Sequence, residues 1–285
     1  MALYRGMDAA ELEAQYNLRA RRPDFDALVA RWMERCRAFR EASDVDLDLA
    51  YGSGGRERLD LFRGRAGGPL LVYIHGGYWQ RGDKAMYSFV AEPFMAAGVN
   101  VAVLNYDLTP SVRLGAIAPQ IRKAVAWLWH NAGALKVDRE AITVMGHSAG
   151  GHLTAMMMAT DWSAYDAALP LGLVKAGVPI SGIFELEPLI HTSINAGPGM
   201  DLEEARRESP LFIPPVTDAP QLVVDGGAET DEFHRQSDLY CETFRTERRV
   251  MDRYMVPDAD HFDELERLAE SDSEFFRRSL ALIEA

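Results

Sequence analysis

From residue 69 onward the apolar residues fall in short continuous runs, at 69–74, 100–104, 142–145, 176–180, 221–224 and 250–256. Helix-like segments separate them, near 83–97, 115–132, 148–160, 231–246 and 262–284. A strand exposed on one face alternates apolar and polar residues, whereas a continuous run is apolar toward both sides. Short runs alternating with helices therefore specify a mostly parallel sheet covered by helices on both faces, an α/β fold. One segment departs from the pattern. Residues 185–220 are rich in Pro and Gly, carry no strand signal, and hold two short helices at most. A stretch of that length within a compact domain serves as a cap or lid, or is mere ornament.

Upstream, Asp24 follows Pro23 as a candidate N-cap, and Leu28, Val29, Trp32, Met33, Cys36 and Phe39 share one stripe of a helix over 24–42. Val45, Leu47 and Leu49 then alternate with polar residues, a glycine-rich turn follows at 52–55, and Leu59 and Leu61 resume the pattern. This is a β-hairpin signal, suited to an antiparallel sheet edge. The 285 residues are accommodated as one domain, 1–285, with small cap elements at about 8–42 and 185–220.

The net charge of −13 disfavours nucleic acid and anionic membrane as partners. No run reaches the roughly 20 apolar residues of a membrane span, and residues 1–16 lack the apolar core of a secretory signal. Cys36 and Cys241 then read as reduced, packed thiols. A cytoplasmic setting is expected.

The run 142–145 leads into Gly146-His147-Ser148-Ala149-Gly150-Gly151, and a helical segment follows. G-x-S-x-G between a strand and a helix is the context of a nucleophile elbow. The turn holds the serine in a strained backbone geometry, and close approach of strand and helix requires glycines two positions away. At a helix N-terminus the Ser148 hydroxyl also meets a partial positive charge that favours a developing anion.

The run 69–74 ends in His75-Gly76-Gly77-Tyr78-Trp79. HGG after a central strand, upstream of the serine, matches the oxyanion loop of esterases. The backbone N–H groups of Gly77, Tyr78 and Ala149 are the candidate donors, each typically worth about a hundred- to a thousandfold in rate. His75 is expected to brace the loop, and Tyr78 and Trp79 to form a wall for a flat substrate.

Seven histidines compete for the base. In this arrangement the chain order is Ser, then Asp or Glu, then His. His261 follows the last strand run and precedes the final helix, which singles it out. His130, His147, His152, His191 and His234 are assigned structural places. The acid belongs after 221–224. Glu229 is preferred because Asp225 completes the strand, Asp231 is placed to cap the next helix and Glu232 lies in its first turn. Asp231 stays as the alternative.

His75-Gly76-Gly77-Tyr78-Trp79, the elbow 146–152, Glu232-Phe233-His234-Arg235-Gln236-Ser237 and Leu12-Glu13-Ala14-Gln15-Tyr16-Asn17 together resemble the serine-hydrolase type of arylformamidase (kynurenine formamidase), a member of the α/β-hydrolase superfamily. The resemblance runs through most of the chain, and HGGYW and EFHRQS are its specific parts. In that family the triad acid, typically Asp, stands three residues before the EFHRQS-like segment, and Glu229 occupies that place. The resemblance implies hydrolysis of N-formylkynurenine to kynurenine and formate through an acyl-enzyme, with no cofactor and no metal. The substrate would be a small aromatic formamide or ester; a homodimer stays open. A broad carboxylesterase of the same fold is the alternative. A non-catalytic small-molecule receptor is more remote, since all three triad positions are filled.

Overall fold

The computed structural model describes residues 2–285. One sheet holds β1 (Val45–Ala50), β2 (Arg58–Phe62), β3 (Gly68–Ile74), β4 (Asn100–Leu104), β5 (Val137–His147), β6 (Val174–Ile180), β7 (Gln221–Gly226) and β8 (Met251–Val256). Their order is β1-β2-β4-β3-β5-β6-β7-β8. The β1–β2 hairpin joins β4 antiparallel at one edge, and every later pairing is parallel. The chain has the α/β-hydrolase fold.

The continuous runs mark strands that feed two cores at once. Along β3, Leu70, Val72 and Ile74 enter one core while Leu71 and Tyr73 enter the other. In β4, Ala102 and Leu104 divide from Val101 and Val103 in the same way. Among the helices, α1 (Ala9–Tyr16), α4 (Ile117–Leu135) and α5 (Ala149–Met158) supply the first core. The second is supplied by α2 (Phe25–Ala42), α3 (Ala91–Ala96), α9 (Asp263–Leu268) and α10 (Glu274–Glu284). The remaining helices are α6 (Trp162–Tyr165), α7 (Leu202–Arg207) and α8 (Asp231–Phe244). Cys36 lies in the second core and Cys241 in a third cluster beneath α8, both as buried free thiols. Among the described residues no helix is long and apolar enough to cross a membrane.

Several elements differ from the sequence expectation. Helix α2 buries Leu28, Trp32 and Cys36, a spacing of four, which leaves Met33 44% exposed off the stripe. Asp24 precedes α2 but makes no side-chain capping bond. Of 83–97 only Ala91–Ala96 is α-helical, preceded by two 3-10 turns. The expected helix over 262–284 is two, because Ser273 caps a new start by accepting from the Phe276 N–H. Segment 185–220 holds one α-helix, α7, and three 3-10 turns.

Candidate active site

Strand β5 delivers Ser148 at φ 58° and ψ −117°, a left-handed turn between strand and α5. The flanking glycines are compulsory. A Cβ on Gly146 would stand 2.3 Å from the Gly150 carbonyl oxygen, and one on Gly150 would stand 2.0 Å from that of Ile74. Both approaches are to backbone, which has nowhere to move.

The candidate oxyanion loop, residues 75–79, is held from below by His75. Its ring stacks between Tyr87 and Tyr106, with centroids 5.7 and 4.4 Å away. Burial pulls its pKa down to about 4, so the ring is neutral and Nδ1–H donates to the Gly76 carbonyl at 2.8 Å. Three successive residues then have positive φ: Gly77 at 115°, Tyr78 at 50° and Trp79 at 59°. A Cβ on Gly77 would lie 2.3 Å from the Arg81 carbonyl oxygen, so the position requires glycine. Among the described residues the amides of Gly77, Tyr78 and Ala149 donate to no protein acceptor.

Trp79 is not a wall of the site. It is fully buried, absent from the lining of the cavity, and its Nε1–H donates to His152 Nδ1 at 3.2 Å. The opposite nitrogen, Nε2–H, donates to the Glu208 carbonyl at 2.8 Å. Two aromatic neighbours in sequence thus separate: the left-handed turn drives the indole inward while Tyr78 stays at the cavity. The Tyr78 hydroxyl donates to the Tyr16 carbonyl at 2.6 Å.

Glu229 stands after β7 and His261 after β8, and adjacent parallel strands bring the two loops together. His261 Nδ1 lies 2.5 Å from Glu229 Oε1. The Glu229 carboxyl is wholly inaccessible to solvent, which raises its pKa; His261 is nearly so, and burial drives its imidazole down to about 3. Both shifts favour uncharged groups, and the contact itself opposes them, since a carboxylate at that distance stabilises an imidazolium. Asp231 is exposed in the first turn of α8, where Thr230 rather than Asp231 holds the N-cap position. Asp225 pairs with Arg253 and with His234 Nδ1 at 3.0 Å.

His147 lies against His261, ring centroids 4.5 Å apart, and its Nε2 donates to the His261 carbonyl at 2.7 Å. His147, His261 and Glu264 bring ligand-capable atoms within 4.8 Å of one another. That bond commits His147 Nε2 as a donor, so this nitrogen is not free to bind a metal.

Ser148 and His261 line one cavity of about 480 Å³ together with Gly77 and Tyr78. Its aromatic walls come from Phe25 and Trp32 of the N-terminal segment, from Tyr87, and from Phe262 beside the base. Segment 185–220 contributes Ser193 and Ile194. Arg19, Asp26 and Arg81 supply charge, with Arg19 paired to Asp26 at 2.8 Å. Sequence reasoning missed these N-terminal contributions, because Trp32 on an amphipathic stripe looks like any core residue.

The BD-FAE family profile matches residues 61–169, from β2 past the elbow. The kynurenine formamidase of Salmo salar is 32% identical over 235 residues, covering 79% of this chain and 78% of that one. The chain belongs to the kynurenine formamidase family. It is accordingly a hydrolase. A second member, from Danio rerio, is 28% identical over 95% of this chain and 94% of its own. A crystal structure from Silicibacter sp. TM1040, of a protein provisionally named a thioesterase, superposes with a TM-score of 0.82 at 34% identity, over 96% of this chain and 99% of that one. An esterase of Pyrobaculum calidifontis, 22% identical, shares the fold at a TM-score of 0.70 over 98% of this chain and 93% of its own.

In this family member the EFHRQS segment is a latch. The Gln236 amide accepts from the Phe184 and Glu185 N–H groups at 2.6 and 2.8 Å and donates to the Tyr16 hydroxyl at 2.8 Å. That hydroxyl donates to Glu232 at 2.8 Å, and Arg235 bridges Glu232 and Glu185 at 2.7 and 3.2 Å.

Proposed function

We propose that this hydrolase cleaves a small N-formyl aryl amine, the class to which N-formylkynurenine belongs, through an acyl-enzyme on Ser148. The observation that carries the proposal is the 2.5 Å contact of Glu229 Oε1 with His261 Nδ1, at the edge of an aromatic-walled cavity that Ser148 and His261 share. With Nδ1–H held by Glu229, the Nε2 lone pair of His261 is the base that takes the serine proton. Ser148 Oγ then bonds to the formyl carbon. The free amides of Gly77, Tyr78 and Ala149 receive the oxyanion, and His261 returns its proton to the departing aryl amine. Water repeats the sequence on the formyl-enzyme and releases formate. The aromatic leaving group lies against Phe25, Trp32, Tyr87 and Phe262, with Arg19, Asp26 and Arg81 available to a zwitterionic side chain. Two buried free thiols fit a reducing, cytoplasmic setting.

The test is a panel of N-formylkynurenine, formanilide and p-nitrophenyl esters of rising acyl length, run on wild type and Ser148→Ala. Formyl compounds should be turned over well ahead of hexanoyl esters, and the variant should lose around a millionfold in kcat. Ester cleavage without formamide cleavage would assign a carboxylesterase instead. Activity surviving in Ser148→Ala, or no labelling of Ser148 by an organophosphonate, would overturn the mechanism.

A further inference from the structure

Behind Glu229 lies a second buried carboxyl that the triad does not use. Glu264, in the first turn of α9, has no solvent exposure. Ser181, directly after β6 and itself fully buried, stands between the two carboxyls. Its Oγ lies 2.8 Å from Glu229 Oε1 and 3.0 Å from Glu264 Oε2. A serine hydroxyl owns one hydrogen, so it can donate to one of these oxygens only. The other contact is a hydrogen bond only if that carboxyl carries a proton and donates to Oγ.

The surroundings decide which one carries it. Glu229 Oε1 also faces His261 Nδ1, which must donate if His261 is to act as the base. Glu229 is therefore the acceptor of two donors and the natural seat of the negative charge. Glu264 has no cation to balance a charge of its own. Facing it from β7 and the loops beyond are Asp225, Glu229 and Asp260, all acidic, and Tyr73 of β3 lies within reach of its field. Arg253 is committed to Asp225, and Arg22 to Asp260 at 2.6 Å. His147 Nε2 lies 3.0 Å from Glu264 Oε1 but already donates to the His261 carbonyl, and burial keeps that ring neutral. Burial and the neighbouring Glu229 both push Glu264 well above the ordinary carboxylate range.

We infer that Glu264 is a positioning residue, held as a neutral carboxylic acid that donates through the Ser181 hydroxyl to Glu229. The relay Glu264 Oε2–H to Ser181 Oγ–H to Glu229 Oε1 keeps one proton and one negative charge on the pair. It also fixes where each sits. Were the proton on Glu229 instead, that carboxyl would donate to His261 Nδ1 and force the hydrogen of the imidazole onto Nε2, where no serine proton could be accepted. The relay thus holds His261 in its basic tautomer, and this role rests on the triad proposed above.

Glu264→Leu removes the donor and Glu264→Gln retains one of the same shape without a charge. The leucine variant should lose at least about tenfold in kcat with KM little changed, and the glutamine variant should recover most of that loss. The acid limb of kcat/KM should stay in place in Glu264→Gln, because no charge has been removed. Infrared difference spectra at neutral pH should show a protonated carboxylic C=O stretch in wild type that is absent from Glu264→Gln. Loss in Glu264→Gln equal to that in Glu264→Leu, a downward shift of its acid limb by about a unit or more, or absence of the infrared band would overturn the inference. The band is read without substrate. It therefore tests Glu264 even where the substrate panel rejects the formamidase, and Glu264→Gln keeps the test open where Glu264→Leu does not fold.

Discussion

Replacing Trp79 by phenylalanine separates a packing role from a substrate-binding one. The indole is fully buried among the first core's residues, and its N–H satisfies His152 Nδ1. Phenylalanine fills part of the space, so the lost burial costs ~1–2 kcal/mol at ordinary transfer values. The larger loss is polar. His152 Nδ1 becomes a buried acceptor with no donor, worth about 1–3 kcal/mol. The ring cannot turn to escape this, because its other nitrogen holds the Glu208 carbonyl. A total of about 2–5 kcal/mol is expected as a lower urea midpoint with the slope unchanged. KM for an aryl formamide should move less than about twofold, since Trp79 does not reach the cavity. An unchanged urea midpoint beside a KM raised tenfold or more would refute the packing account and restore the indole to the substrate.

Glu229→Gln should lower kcat by about ten-thousandfold through loss of the correct His261 tautomer, while Asp231→Asn, on the exposed face of α8, should stay near wild type; the reverse outcome would move the acid to Asp231. The pH profile has a definite sign. In the proposed mechanism neutral His261 is the active form, so kcat/KM should fall as pH drops through its pKa in the folded enzyme. Burial depresses that pKa from 6.5 toward about 3 and the Glu229 carboxylate pulls it part of the way back. The acid limb should therefore lie below 6.5, and a midpoint at or above that value would show that the ion pair outweighs burial.

The parallel sheet was legible because a strand feeding two cores leaves a continuous apolar run, and β4 lies over 100–104 with no slack. Ser148, Glu229 and His261 could be put forward as candidates because each follows a strand's end, where the chain order allows few choices. The structure brings Glu229 to His261 and leaves Asp231 in solvent. Trp79 was misplaced for a local reason. Its inward turn depends on three consecutive positive φ values, and nothing in the residue types Tyr-Trp announces left-handed backbone. Glu264 was invisible in a similar way. Three residues after His261, among acidic neighbours at the start of a helix, it has the sequence signature of an ordinary first-turn acid. Only the arrival of Ser181 from β6 shows that it faces inward.

The family-specific segments gain a physical account from the same contacts. The end of α1 is clamped on two sides: the Tyr16 carbonyl receives the Tyr78 hydroxyl, and the Gln15 carbonyl receives the Thr230 hydroxyl at 2.9 Å. Tyr78 belongs to the candidate oxyanion loop, and Thr230 adjoins Glu229. Residues 15 and 16 therefore tie together the loop that would hold the oxyanion and the loop that would orient the base. Glu232 and Gln236 hold Tyr16 against that span, and Arg235 braces Glu232. The generic elbow needs only two glycines and a serine, because its geometry is set by backbone contacts within one turn. The clamp across three distant segments instead depends on side chains from each of them, the Tyr78 and Thr230 hydroxyls closing on the α1 carbonyls and Glu232 and Gln236 holding the Tyr16 hydroxyl.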